Sequence, residues 1–401
     1  MVERFEPSGG VEGVAWAVAH QLARAGDEVH VFARRAMPVD PPSPAGGSVA
    51  ASQGTDRVPS VQLLRVSAFW QPARVAAFSR AARQATRRGG FDVVQTFSRT
   101  RHQDVYRAGG GCHAAYMERA YGGRGARLRR ASPRHAILLG IEERVFADPG
   151  QWVLCNSEMV RDEIKARYGV PEDRLPVIPN GVDLERFHPD RIDHPDQIDR
   201  IDRIDRMASS GAELRERLDS TGERVWLFVG SGFRRKGLDT ALRALAVSAD
   251  RRSRLWVVGR DEPGAWRKLA VDLGVASRVR WLGVRDDMPR VYRAADALLL
   301  PTRYDAFANV SLEAAACALP VITSGANGAA RWLGRAAVTV ADPEDAVGFA
   351  VALDSLDDED RRRQLGLAAR AQAEQSSWER HVEALHALYG RIRKPSGRRD
   401  S

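Results

Sequence analysis

Leu298–Gly328 reads LLLPTRYDAFANVSLEAAACALPVITSGANG. The apolar run Ala297–Leu300 has the length of a buried strand and stops at Pro301. A polar loop, Thr302–Asn309, follows. Val310–Cys317 has helical composition, with apolar residues at Val310, Leu312, Ala314 and Cys317, and Leu319–Thr323 is a second short strand. Strand–loop–helix–strand is the unit of parallel α/β sheets, whose ligands sit at the carboxyl ends of the strands. The loop is at such an end. Asp305 and Glu313, eight positions apart, bracket it. Asn309 is the expected N-cap, leaving the backbone N–H groups of Val310 and Ser311 for a phosphate. A carboxylate beside them can accept from sugar or ribose hydroxyls. The pair alone equally fits two acids that only favour a helix's positive end.

The surrounding residues extend the pattern. Arg224–Val229 is a strand, Gly230-Ser231-Gly232-Phe233-Arg234-Arg235-Lys236-Gly237 a glycine turn, and Leu238–Val247 a helix. Gly232 and Gly237 have Walker A spacing, but Leu238-Asp239 follow where that motif needs Lys-Ser/Thr, so a P-loop is rejected. What remains is a glycine turn at a strand's end carrying Arg234 and Lys236, which suits a diphosphate whose charge grows as it leaves. Strands Leu255–Val258 and Val279–Leu282 alternate with helices Ala265–Leu273 and Asp287–Ala294. Ser324–Ala329 reads as a small-residue loop, followed by helices Pro343–Leu353, Asp358–Glu374 and Trp378–Arg391.

The first half also alternates. A short strand, Met1–Phe5, leads to the turn Ser8-Gly9-Gly10 and helix Val11–Ala25. The spacing is not G-x-G-x-x-G, which excludes a nicotinamide fingerprint. Strands are expected at Glu28–Ala33, Val61–Val66, Asp92–Phe97 and Trp152–Asn156. Helices are expected at Gln71–Arg88, Ile137–Phe146 and Glu158–Tyr168. His113 follows Gly109-Gly110-Gly111-Cys112, a backbone that can approach a ligand closely. Pro38–Ser60 reads as a flexible loop, Arg119–Arg134 as a basic loop suited to anionic groups, and Asp190–Arg206, with its Ile-Asp-Arg units, as a solvated insertion of no assigned function. The tail Lys394–Ser401 is polar.

The 401 residues suffice for two domains, and 44% hydrophobic content supports packed cores. No run approaches the length of a membrane-spanning helix, and the N-terminus lacks a signal-peptide apolar region. Cys112, Cys155 and Cys317 have no metal-ligand spacing, and the simplest expectation is a reduced, cytoplasmic protein. A net charge of +9, almost wholly arginine in excess, fits an anionic partner or a GC-rich genome equally. Charge alone would admit a nucleic-acid-binding protein, but no recognition module is present and nucleic acid is not expected as a partner.

The stretch YDAFANVSLEAAACALPVITSGANGAA resembles the E-x7-E element of the family-four retaining glycosyltransferases, in the branch of the lipopolysaccharide core glucosyltransferases. The resemblance runs from Val2 to about Arg391. It implies the GT-B fold: two doubly wound, Rossmann-like α/β domains facing a cleft. The first would span 1–178, joined by the folded-back helix 378–391, and the second 179–377, with LPVIPNGVD at Leu175–Asp183 as the crossing. It implies a retaining glycosyltransferase using a nucleotide-diphosphate sugar, best matched by UDP-glucose, and a glycan or glycolipid acceptor such as lipopolysaccharide core. Gly9, Gly10, Gly230 and Ser231 would face donor phosphates, with Arg234 and Lys236 binding the diphosphate. The Asn309–Ser311 backbone (Asn309, Val310, Ser311) would add donors, Glu313 would hold ribose, Asp305 the sugar, and His113 would lie near the transfer centre. Neither metal nor cofactor is expected. Two departures stand out: Asp305 replaces the first glutamate, and the first strand is short. An inactive nucleotide-sugar-binding protein is the alternative. The arginine clusters Arg80–Arg88 and Arg119–Arg134 lead to an expectation of peripheral contact with an anionic membrane.

Overall fold

The computed structural model describes residues 1–7, 9–37, 57–66, 71–119, 132–189 and 211–392. Most of the Pro38–Ser60 loop, most of the basic loop Arg119–Arg134, the Ile-Asp-Arg insertion, the polar tail and Ser8 lie outside them. The chain divides into two compact units. One comprises Met1–Asn156, Val160–Asn180 and the chain from Trp378; the other comprises Ser157–Met159 and Gly181–Ser377.

In the first unit, β1 (Val2–Phe5), β2 (His30–Ala36) and β3 (Ser60–Leu63) form a parallel sheet in that order. A second parallel set runs β4 (Gln95–Thr96), β5 (Val105–Arg107), β6 (Trp152–Leu154). The short β1 is paired on both sides: to β2 by its register Val2↔Ala33, and to the β4 region by Phe97 N–H donating to Met1 O at 2.8 Å. Strand β5 and helix Pro133–Phe146, which begins four residues earlier than expected, were not delimited by periodicity. The helix Val11–Arg24 buries Val14, Val18 and Leu22. These pack with Val105, Trp152 and Leu154 and with Val382, Leu385 and Leu388 of the last helix, Trp378–Ile392. That helix's apolar residues recur every three or four positions, so one stripe enters the core.

The second unit is one six-stranded parallel sheet, with β7 (Val225–Val229), β8 (Arg254–Val258), β9 (Val279–Gly283), β10 (Ala297–Leu300), β11 (Val321–Ser324) and β12 (Ala337–Val340). The spatial order is β9-β8-β7-β10-β11-β12. Such central strands are apolar throughout because helices cover both faces. Leu298, Leu299, Leu300, Trp226 and Trp256 are accordingly buried, each apolar side chain contributing roughly 1.5–3 kcal/mol by leaving water. Chain order reverses between β7 and β10, which makes the crevice beyond their carboxyl ends the ligand-binding position of this topology.

Candidate functional site

Two loops leave the sheet at that reversal. The one after β7 starts at Gly230 (φ +151°), and the aliphatic stem of Lys236 lies across it: a Cβ there would sit 3.1 Å from Lys236 Cε and Cγ. The turn is not an extended glycine loop. Phe233–Lys236 is one helical turn between Gly232 and Gly237, both left-handed. The loop after β10 is tied to it by three contacts. Arg303 N–H donates to Arg235 O at 2.8 Å, Thr302 Oγ1 to the same carbonyl at 3.2 Å, and Arg303 Nη1 to Arg234 O at 2.7 Å. Arg303 is itself held by Asp239 through Nη1 and Nη2, both at 2.8 Å.

This stitching brings the charges together. Asp305 Oδ2 receives Lys236 Nζ and Arg235 Nη1, each at 2.7 Å. Burial would push the Asp305 carboxyl up, but the Lys236 and Arg235 charges prevail and hold it at about 2. Burial draws the Lys236 ammonium below its usual range, with Asp305 opposing the shift. The sequence reading placed Arg234 with Lys236 on the donor diphosphate, not on Asp305. Arg234 is exposed, and the guanidinium on Asp305 belongs to Arg235. Two neighbours in one helical turn point about 100° apart, and only the fold tells which faces the loop.

Glu313 lies one turn into the helix Asn309–Ala316, where Tyr292 Oη donates to its Oε2 at 2.7 Å. Burial raises the Glu313 carboxyl, with the Tyr292 hydrogen bond acting against it. The helix start also differs from expectation. Ala308, not Asn309, is the N-cap, and Asn309 is the first helical residue. Ser311 N–H is spent on Ala308 O at 2.8 Å, so it is not left for a phosphate. The Ser311 hydroxyl accepts from Asn327 Nδ2 at 3.1 Å. Asn327, read from sequence only as part of a small-residue loop, is 1% exposed and organises this corner. Its Oδ1 accepts from Ala308 N at 3.3 Å and from Ala329 N at 3.0 Å, and its Nδ2 also donates to Thr323 Oγ1 at 3.0 Å. The available signal was Asn ahead of Gly-Ala-Ala, an N-cap for helix Gly328–Leu333. Ser231 is exposed, and its carbonyl accepts from Arg235 Nη2 at 3.4 Å.

The remaining candidates are in the first unit. Gly9 (φ +98°) precedes Gly10, the N-cap of helix Val11–Arg24. His113 opens helix 113–119, whose first N–H groups are taken by the buried Glu142: His113 N at 2.7 Å and Ala114 N at 3.2 Å. Tyr168 Oη also donates to Glu142, at 2.7 Å. The His113 ring is 7% exposed and bonds through Nε2 to His135 Nδ1 at 3.0 Å. Burial, with Arg99, His135 and Arg134 adding to it, holds its pKa down at about 3. It is therefore a neutral imidazole at physiological pH.

Residues 8–186 match the family model described as Glycosyltransferase Family 4, and residues 223–358 match that described as Glycosyl transferases group 1. The chain belongs to glycosyltransferase family 4. A D-inositol 3-phosphate glycosyltransferase from Salinispora tropica is 33% identical over 281 residues, 65% of this chain and 54% of that protein. The lipopolysaccharide glucosyltransferase WaaG of Escherichia coli (strain K12) is 30% identical over 261 residues, 63% of this chain and 64% of that protein. These alignments thus span between about half and two thirds of the relatives' lengths. A crystal structure of WaaG, a glycosyltransferase involved in lipopolysaccharide biosynthesis, superposes with a TM-score of 0.76, covering 97% of this chain and 100% of that one at 23% identity. At that identity it bears on the fold alone, which is GT-B: two α/β domains with parallel sheets.

Proposed function

We propose that this family-4 chain is a retaining glycosyltransferase that moves glucose from UDP-glucose to a cell-envelope glycan such as lipopolysaccharide core. The observation that carries it is the Lys236–Asp305–Arg235 cluster at the reversal of the second sheet, with Glu313 one turn into the helix that follows the Asp305 loop. Arg235 and Lys236 would bind the donor diphosphate and stabilise it as the anomeric C–O bond to the β-phosphate breaks. The backbone at Asn309 and Val310 and the turns at Gly9, Gly10, Gly230 and Ser231 would line the phosphates. Both cations meet Asp305 at Oδ2, which leaves its other oxygen for a sugar hydroxyl. Glu313, fixed by Tyr292, would accept from ribose. The acceptor oxygen bonds the anomeric carbon on the face the phosphate leaves, and its proton passes to a β-phosphate oxygen. His113 would serve as a neutral hydrogen-bonding partner to the reacting sugars. The positive charge comes from side chains, so the reading uses no metal or cofactor. The names of the WaaG and inositol 3-phosphate relatives support the substrate classes.

The test is a panel of nucleotide-sugars followed by thermal shift and by release of free nucleotide. UDP-glucose is expected to stabilise the protein most and to yield UDP. Stabilisation without any nucleotide release, with or without lipopolysaccharide core, would instead favour a nucleotide-sugar-binding protein. That alternative draws on Asp305 standing for Glu with one oxygen already engaged.

We also propose peripheral contact with the inner face of the plasma membrane. No described helix is long and apolar enough to cross a membrane. Arg80, Arg87 and Arg88 of helix Gln71–Arg88 are exposed, and each arginine near an anionic surface contributes about 1 kcal/mol. Sedimentation should show binding to anionic but not neutral vesicles, lost at high salt. Equal binding to both would contradict it.

A further inference from the structure

The buried side chain of Asn327 uses its full hydrogen-bonding capacity. The N–H groups of Ala308 and Ala329 donate to its Oδ1, and its Nδ2 donates to the hydroxyls of Ser311 and Thr323. A carboxamide has no more donors or acceptors to give. The arrangement has one sense only. Two backbone N–H groups cannot face an amide nitrogen, and the Thr323 hydroxyl is committed as a donor to Leu300 O at 2.9 Å. Helix Gly328–Leu333 uses one of these bonds, the one from Ala329 N, as its N-cap. The others run to the end of β11 and to the start of helix Asn309–Ala316, which carries Glu313. The main chain around Asn327 fixes Asp305. Asp305 N–H donates to Ala326 O at 3.0 Å, and Gly328 N–H donates to Asp305 O at 2.8 Å, a parallel bridge between Asp305 and Asn327. The packing is backbone on backbone: a Cβ at Gly328 would lie 1.9 Å from Ala306 O. Asp305 is thus held by the main chain of this corner and the Glu313 helix by the Asn327 side chain, so one amide sets the distance between them.

We propose that Asn327 is a positioning residue: it spaces Asp305 and Glu313 so that a nucleotide-sugar meets both at once. It is too deeply buried to touch the ligand itself. The inference rests on the donor reading of those two carboxylates. A nucleotide alone engages Glu313 and the cations, and it can follow the helix if the helix shifts. A nucleotide-sugar spans both carboxylates and cannot. Loss of the Asn327 side chain therefore costs the sugar's share of the affinity more than the nucleotide's. A displacement on the order of 1 Å is enough to matter for a group that must be placed to bind. The four bonds act as a network, whose parts only a double-mutant cycle separates.

The experiment titrates UDP and UDP-glucose calorimetrically into the full chain and melts each variant. The wild type is expected to prefer UDP-glucose over UDP by roughly tenfold, the scale of one charge-assisted hydrogen bond. Asn327→Ala should lose that preference while UDP affinity changes little, and should melt at a lower temperature. Asn327→Ser keeps an N-cap for helix Gly328–Leu333 but is too short to hold Ala308 and Ser311 as well. It should recover most of the melting temperature and none of the preference. In an Asp305→Asn background, Asn327→Ala should bring little further loss of UDP-glucose affinity, because groups that act together are not additive. A preference kept in Asn327→Ala, or restored by Asn327→Ser, would make Asn327 a helix cap only and overturn the inference. Additive losses in the double variant would overturn it too. A wild type that does not bind UDP-glucose would sink the donor reading and this inference with it, an outcome distinct from a wild type that binds and a variant that still discriminates.

Discussion

Lys236→Met is expected to lower turnover by roughly 10²–10³, the effect of losing one preorganised donor to a developing charge. The ammonium is 2.7 Å from Asp305, in a turn held by a left-handed glycine on each side. Met fills the stem's place over Gly230 and removes only the charge. Asp305 keeps Arg235, so its carboxylate is not stranded and the thermal midpoint should move little compared with the rate. Arg235→Ala should reduce turnover on the same scale. Arg234→Ala should stay within about twofold of wild type, because its side chain is exposed. Steady-state rates with circular dichroism melts read all three. A loss in Arg234→Ala equal to that in Arg235→Ala would move the phosphate contact back to the residue chosen from sequence.

Gly237→Ala is expected to destabilise the second unit by at least about 4 kcal/mol, in the range reserved for a named structural fault. Two causes combine. The residue has φ +78°, which costs a side-chain-bearing residue roughly 1–2 kcal/mol. A Cβ would also sit 1.9 Å from Pro301 O, a backbone atom immediately after β10 that cannot turn aside. Relief requires separating the loops after β7 and β10, the contact that brings Lys236 to Asp305. For a unit of this size the midpoint should fall by roughly 8–16 °C. Gly264→Ala is the control: nothing lies within 4 Å of its Cβ position, and it opens the helix Gly264–Asp272, so the change should be neutral or slightly stabilising. A Gly237→Ala protein as stable as the control would mean the two loops are not packed as described.

Both predictions turn on the corner that local sequence described least well. Strand β10 and helix Leu238–Val247 have the expected bounds, because a continuous apolar run and a 3.6-residue period are properties of their own residues. Strand β12 and helix Gly328–Leu333 were missed. Ala337–Val340 is only four residues long, and Gly328 fell in the stretch read as a small-residue loop, although Asn327 caps the helix that Gly328 opens. The cap was misplaced at Asn309 because the acceptor for Ala308 N–H comes from Asn327, nineteen positions later, and a tertiary cap leaves no local spacing to find. That Arg235, and not Arg234, meets Asp305 was hidden from the sequence for a similar reason. The spacing identified a cationic turn, while the partner that selects one arginine, Asp305, arrives from another loop. The pairing of the acidic stretch with the cationic turn was legible only through the topology, which places β7 beside β10.

Under the proposed function Asp305 and Glu313 divide a nucleotide-sugar between them, and calorimetry with UDP and UDP-glucose tests this division most directly. Glu313→Gln should weaken both ligands to a similar degree, because ribose is common to them. Asp305→Asn should weaken UDP-glucose by roughly tenfold, the loss of a charge-assisted hydrogen bond, and leave UDP nearly unchanged, with Lys236 and Arg235 still in place for the phosphates. Equal losses for both ligands in both variants, or wild-type affinity throughout, would contradict the assignment of this site to the donor.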